Sequence, residues 1–121
     1  MISMQVEGKV RVTELSGEVT ADDLHAHMER VFSDPGFDPS LDSLVDMRGL
    51  EKVGFDSADV AEIDRAYAER ARDFRRRLAF VPGSPVSLGY ARSFELQHAS
   101  ERDQVRIFDD MESARRWLGL A

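Results

Sequence analysis

The chain has 121 residues, 42% of them hydrophobic, no cysteine, and a net charge of −7 from sixteen basic and twenty-three acidic side chains. That length predicts one domain over residues 1–121, and the missing thiols exclude disulfides, thiolate nucleophiles and thiolate-bound zinc, which suits a reducing cytoplasm. The acidic balance argues against nucleic acid as a partner, and no apolar run approaches the roughly 20 residues of a membrane span.

Charge is uneven along the chain. Residues 1–60 carry −8, from five basic and thirteen acidic side chains, whereas residues 61–121 carry +1. Such asymmetry can mark a face that meets a charged partner, although acidic helix starts contribute to it.

Met4 to Glu7 and Lys9 to Leu15 read as two strands joined at Gly8, with Val10 and Val12 alternating against Arg11 and Thr13. That alternation predicts a hairpin with one wet face. Thr20 opens a helix, with Asp22 and Asp23 in its first turn and Leu24, Met28, Val31 and Phe32 on one stripe. Asp34-Pro35-Gly36 stops it. A buried strand at Leu44-Val45 then ends near Asp46 and Met47.

Ser57 is the expected N-cap of a second helix, whose Val60, Ile63, Tyr67, Ala71 and Phe74 make one face. Leu78 to Val81 reads as another buried strand, and a third helix runs from about Pro85 to Ser100. Val105 to Phe108 is the last strand. Asp110 caps a closing helix with Met111, Ala114, Trp117 and Leu118 inward, ended by Gly119.

The order ββαβαβαβα predicts a single-domain α/β fold: a mixed, mainly parallel sheet with helices packed on it and an antiparallel edge strand. Ligands would then meet the loops beyond the strand carboxyl ends, here Ser16-Gly17, Asp46 to Ser57, Pro82 to Ser84 and Asp109-Asp110.

No recognisable catalytic or cofactor motif emerges. A receiver domain would need an acidic pair where Ser16-Gly17 stands and a late lysine, but the lysines are Lys9 and Lys52. Neither phosphate-cradling glycine motif occurs, and Pro85 stands where a nucleophile elbow through Ser87 needs glycine. His25 and His27, two apart on a helix, point to different faces and chelate poorly together. Five arginines between Arg70 and Arg77 fit a helix C-terminus, where cations offset the dipole. The third helix is apolar on two sides, with Val86, Tyr90, Ala91 and Phe94 on one and Leu88, Leu96 and Ala99 on another. A homodimer contact or a lid over an apolar pocket, through Tyr90, Phe94 and Leu88, would each account for that.

These elements resemble the SpoIIAA-like family, within the wider set of STAS-type anti-sigma-factor antagonist domains. The carriers are the hairpin leading into Leu15-Ser16-Gly17-Glu18-Val19-Thr20, the Asp34-Pro35 helix exit, and the strands Leu44-Val45-Asp46-Met47 and Leu78-Ala79-Phe80-Val81. Val105-Arg106-Ile107-Phe108 and the ending Glu112-Ser113-Ala114-Arg115-Arg116-Trp117-Leu118 complete the set. The resemblance implies a bacterial αβ domain that regulates a protein partner, and a fold similar to CRAL-TRIO-type lipid carriers. It also implies an aspartate ending the central strand, matched by Asp46, and a phosphorylated hydroxyl at an Asp-Ser helix start, matched by Asp56-Ser57. Ala58 and Asp59 replace the second hydroxyl and the glycine of that segment.

The leading expectation is therefore a non-enzymatic cytoplasmic regulatory module without a cofactor or metal. It would bind a protein partner through Asp46, Arg48, Asp56 and Asp59, with Ser57 the candidate phosphorylation site. The alternative is a carrier of a small apolar ligand or lipid. An enzyme would need Asp46, Ser84 or His98 to converge in a polar pocket.

Overall fold

A computed structural model describes residues 1–97 and 103–120. The described elements run β1 (Ile2–Glu7), β2 (Val10–Thr20), α1 (Ala21–Ser33), β3 (Asp42–Gly54), α2 (Ser57–Ala71), β4 (Arg76–Pro82), α3 (Pro85–Gln97), β5 (Asp103–Ile107) and α4 (Met111–Trp117). The strands lie in the order β1-β2-β3-β4-β5, with β1 antiparallel to β2 and every other pair parallel. Val45, Phe80 and Ile107 are register neighbours across β3, β4 and β5.

This topology winds in one direction only. Right-handed crossovers between strands laid down in sequence order put every crossover helix on the same face. Accordingly Leu24 of α1, Ile63 of α2 and Ala91 of α3 pack over Leu15, Val45, Met47, Phe80 and Ile107. Among the described residues α4 alone covers the other face, where Ala114 and Leu118 meet Val10, Val12, Leu44, Ala79 and Val81. The strand pattern follows from that sandwich, since both faces of β2 are buried over Val10 to Val12.

The expected wet face of the hairpin is thereby corrected: Arg11, opposite Val10 and Val12 in the alternation, is 3% exposed. The long loop expected from Asp46 to Ser57 is also absent as such. β3 continues to Gly54, paired with a β2 that runs to Thr20 through register shifts at Glu14/Ser16 and Gly17/Glu18. Gly17 takes φ 63° at the second shift, a conformation that other residues adopt only with strain. Phe55 and Asp56 alone connect strand to helix.

The helix caps follow local chemistry. Thr20 and Asp23 exchange hydrogen bonds in a capping box on α1, and Asp110 accepts from the Ser113 N–H at the start of α4. At α2 the expectation fails by one residue. Asp56 is the N-cap, boxed with Asp59, and Ser57 is the exposed first helical residue. Phe74 lies beyond α2 and is 39% exposed, because the helix ends at Ala71. The arginine run divides: Arg70 is helical, Arg76 and Arg77 open β4. Arg77 pairs with Asp42 of β3 at 3.2 Å and donates to the carbonyls of Trp117 and Leu118, joining α4 to the sheet.

The segment resembling a nucleophile elbow is a helix start. Ser87, fully buried, accepts from the Gly83 and Ser84 N–H groups at 3.0 Å, while the Ser87 N–H donates to Ser84 Oγ. Gly83 is required there, since a Cβ would stand 2.6 Å from Arg48 Cα. Among the described residues no helix is long and apolar enough to cross a membrane.

Candidate functional site

Between the sheet and the three crossover helices lies a partly enclosed cavity of about 160 Å³. Strand alternation builds its floor: Thr13, Leu15, Ser43, Val45, Met47, Leu78 and Phe80 all project to this side. Leu24, His27 and Met28 come from α1, at the i, i+3, i+4 spacing that puts them on one helix face. α2 adds Val60, Ile63, Asp64 and Tyr67, again at spacings of three and four. Tyr90, Ala91 and Phe94 of α3 complete the wall, with Ile2 and Phe55 at one end.

α3 therefore turns Tyr90 and Phe94 toward the cavity and the sheet. Tyr90 donates to the Phe55 carbonyl at 2.7 Å and its ring lies 5.2 Å from that of Phe55, while Phe94 packs 5.0 Å from Phe80. Leu88 is separate from them. It lines an open surface groove with Arg92, Glu95, Leu96, Arg106 and Asp109.

One end of the cavity is polar. Arg11 and Ser43 are register partners near the amino ends of β2 and β3, and Arg76 is the first residue of β4. Arg76, like Arg11, is 3% exposed. Both guanidinium carbons lie over the Tyr67 ring, at 5.5 Å for Arg11 and 5.8 Å for Arg76. Arg11 also donates to the Asp38 carbonyl at 2.9 Å and lies over Phe37 at 5.0 Å. Phe32 packs against the same tyrosine, 4.9 Å from Tyr67, with the Arg70 guanidinium 3.8 Å from its centre.

Burial shapes the protonation of these groups. It pushes the Tyr67 phenol above its usual value, and the positive charges of Arg11 and Arg76 offset only part of that. His27 is driven below the usual histidine value by burial first, then by Arg30 and Arg11. This end thus offers a neutral phenol and a neutral imidazole, with two buried cations beside them. It sits at the amino end of the parallel strands, opposite the rim where the sequence reading expected ligands.

The expected partner-binding residues lie elsewhere and are internally engaged. Asp46 is 6% exposed, and both its oxygens accept from the Arg48 guanidinium at 3.0 Å. Burial alone would raise its carboxyl, but the Arg48 side chain and backbone N–H hold it below the usual range. Asp56 and Asp59 each accept from the other's backbone N–H at 3.0 Å, which holds the Asp56 carboxyl low. Asp59 also lies 3.6 Å from His25, itself 3.7 Å from Glu62, so α1 and α2 meet at an exposed charged cluster. Ser84 is committed to Ser87, and His98 lies outside the described residues.

Arg11, Tyr67 and Arg76 form the part of the site that sequence reasoning missed as a unit. The available signal was an arginine in register with valines in a strand followed by two crossover helices, which predicts burial on both sides.

No family model and no curated protein matches the sequence. Among solved structures, an uncharacterized protein of the DUF3478 family with a SpoIIAA-like fold, from Shewanella loihica PV-4, is similar over 98% of this chain and 92% of its own. The two share 17% identity at a TM-score of 0.64. The fold of this chain is SpoIIAA-like.

Proposed function

We propose that the protein is a non-enzymatic module that binds a small, largely apolar molecule between its sheet and helices α1 to α3. The observation that carries this reading is the cavity, walled by Leu15, Leu24, Met47, Ile63, Phe80 and Phe94 among others. Its volume of about 160 Å³ suits one ring or a short branched chain. An engineered apolar cavity of roughly 150 Å³ accommodates benzene.

The cavity's apolar side chains would lose water-exposed surface to a bound apolar molecule, which favours occupancy. Native mass spectrometry of freshly purified protein, with thermal shift in the presence of toluene, tests the reading. The expected result is a co-purified small molecule or a raised melting temperature. A ligand-free mass in every preparation together with an unmoved melting curve would sink it.

The second reading is a cytoplasmic regulatory module for a protein partner. What supports it is Ser57, exposed on the first turn of α2 between Asp56 and Ala58 and two residues before Asp59. A phosphoryl group there would gain from the helix N-terminus yet repel those carboxylates, changing the charge of a docking surface. Intact mass after incubation with a cognate kinase should show one added phosphate, absent in Ser57→Ala. An unmodified chain removes the switch.

A further inference from the structure

Resting on the cavity reading above, we infer that the occupant is a small neutral alcohol or phenol, its carbon body against the apolar walls and its hydroxyl held among His27, Thr13 and Ser43.

Most polar groups of the lining are already engaged within the protein. Arg76 and Asp64, its charged members, each have a partner. Tyr67 is bonded by Arg11, which also donates to the Asp38 carbonyl, and Tyr90 donates to the Phe55 carbonyl. Three polar lining side chains are left: His27 of α1, Thr13 of β2 and Ser43 of β3. Among the described residues none of the three has a side-chain hydrogen-bond partner. His27 is the sharpest case, because it is only 9% exposed. A polar group buried without a partner is costly, and a ligand that supplies one recovers that cost.

The three share one end of the cavity. Arg11 is the register partner of Ser43 and stands two residues before Thr13 on β2. Its charge also acts on His27, which places the imidazole near the same stretch of β2.

Chemistry then selects the head group. Burial keeps His27 neutral, so one ring nitrogen donates and the other accepts, while the Thr13 and Ser43 hydroxyls do either. An alcohol, donor and acceptor on a single oxygen, answers such a set. A carboxylate would carry a charge into neutral surroundings, with Arg76 already engaged. A hydrocarbon would leave all three side chains unanswered.

Isothermal titration at neutral pH with benzyl alcohol, toluene and benzoate tests the assignment on wild type, Thr13→Val and His27→Leu. In wild type benzyl alcohol is expected to bind about tenfold or more tightly than benzoate. Each substitution should weaken benzyl alcohol by about fivefold to tenfold and leave toluene within about twofold. Tighter binding of benzoate, benzyl alcohol unmoved in both variants, or an equal loss for toluene overturns the hydroxyl head. Toluene binding to wild type leaves the cavity reading standing in each of those cases, whereas binding by none of the three probes overturns both. The two substitutions lie on different elements, so if one variant fails to fold the other still decides, together with the wild-type comparison.

Discussion

The guanidinium carbon of Arg11 lies 5.5 Å from the centre of the Tyr67 ring, so a cation of the second strand is capped by an aromatic residue of the second helix. This contact joins α2 to the sheet at the polar end of the cavity. Tyr67→Phe keeps the ring and loses the hydroxyl, and should cost about 1 kcal/mol. Tyr67→Ala also exposes Arg11 and enlarges the cavity, and should cost about 3 kcal/mol or more. Urea denaturation measures both. Equal losses for the two variants would mean that the ring does not support Arg11.

At the start of α2 the capping assignment is testable in the same way. Asp56 accepts the Asp59 N–H at 3.0 Å, while Ser57 is exposed. Asp56→Ala should therefore lower stability by about 1 kcal/mol, and Ser57→Ala by less than about 0.5 kcal/mol. The reverse ranking would return the cap to Ser57.

That one-residue shift illustrates what could be read from sequence. Thr20, Asp110 and Gly119 carried unambiguous end signals, and the structure uses all three at helix ends. At α2 Ser57 reads as the cap, but the reciprocal bond with Asp59 selects the residue before it, Asp56. The parallel order was legible because crossover helices leave few alternatives. The polar end of the cavity was not. Arg11 looked like the wet half of an alternating strand, and local periodicity does not reveal that α1 and α2 later cover that half. Nor did it show that β2 and β3 extend together to Thr20 and Gly54, since Gly17, Gly49 and Gly54 read as loop residues.

Acid should act in two stages. His27 faces Arg11 from β2, Arg30 from its own helix, and the cavity end formed by Asp64 and Tyr67 of α2 and Arg76 of β4. Its folded value lies below the ordinary 6.5, so near and below that pH the unfolded chain binds the extra proton more readily. Its contribution is complete above about pH 6.5 and is lost as pH falls through the folded value. Asp46, held below 3.8 by Arg48, loses its contribution in the lower window beneath that value. Denaturation midpoints should drop as pH is lowered below about 6.5 in wild type and stay flatter in His27→Gln. Parallel curves for the two proteins would contradict the assignment to His27.

Filling the cavity should separate its occupancy from its architecture. Ala91 is 2% exposed, lines the cavity from α3, and belongs to the cluster with Leu15, Met47 and Leu50. Ala91→Leu adds three carbons, a transfer gain of about 2 kcal/mol if they enter empty space. Leucine is nearly as good a helix former as alanine, so little is lost in the backbone. The unliganded variant should therefore gain about 1 to 2 kcal/mol, and toluene should no longer raise its melting temperature. In a close-packed site the same substitution would cost about 1 to 3 kcal/mol through forced rotamers. The sign of the change in denaturant midpoint thus reports directly whether free volume faces Ala91, and loss of the toluene effect reports whether that volume is where ligands reside.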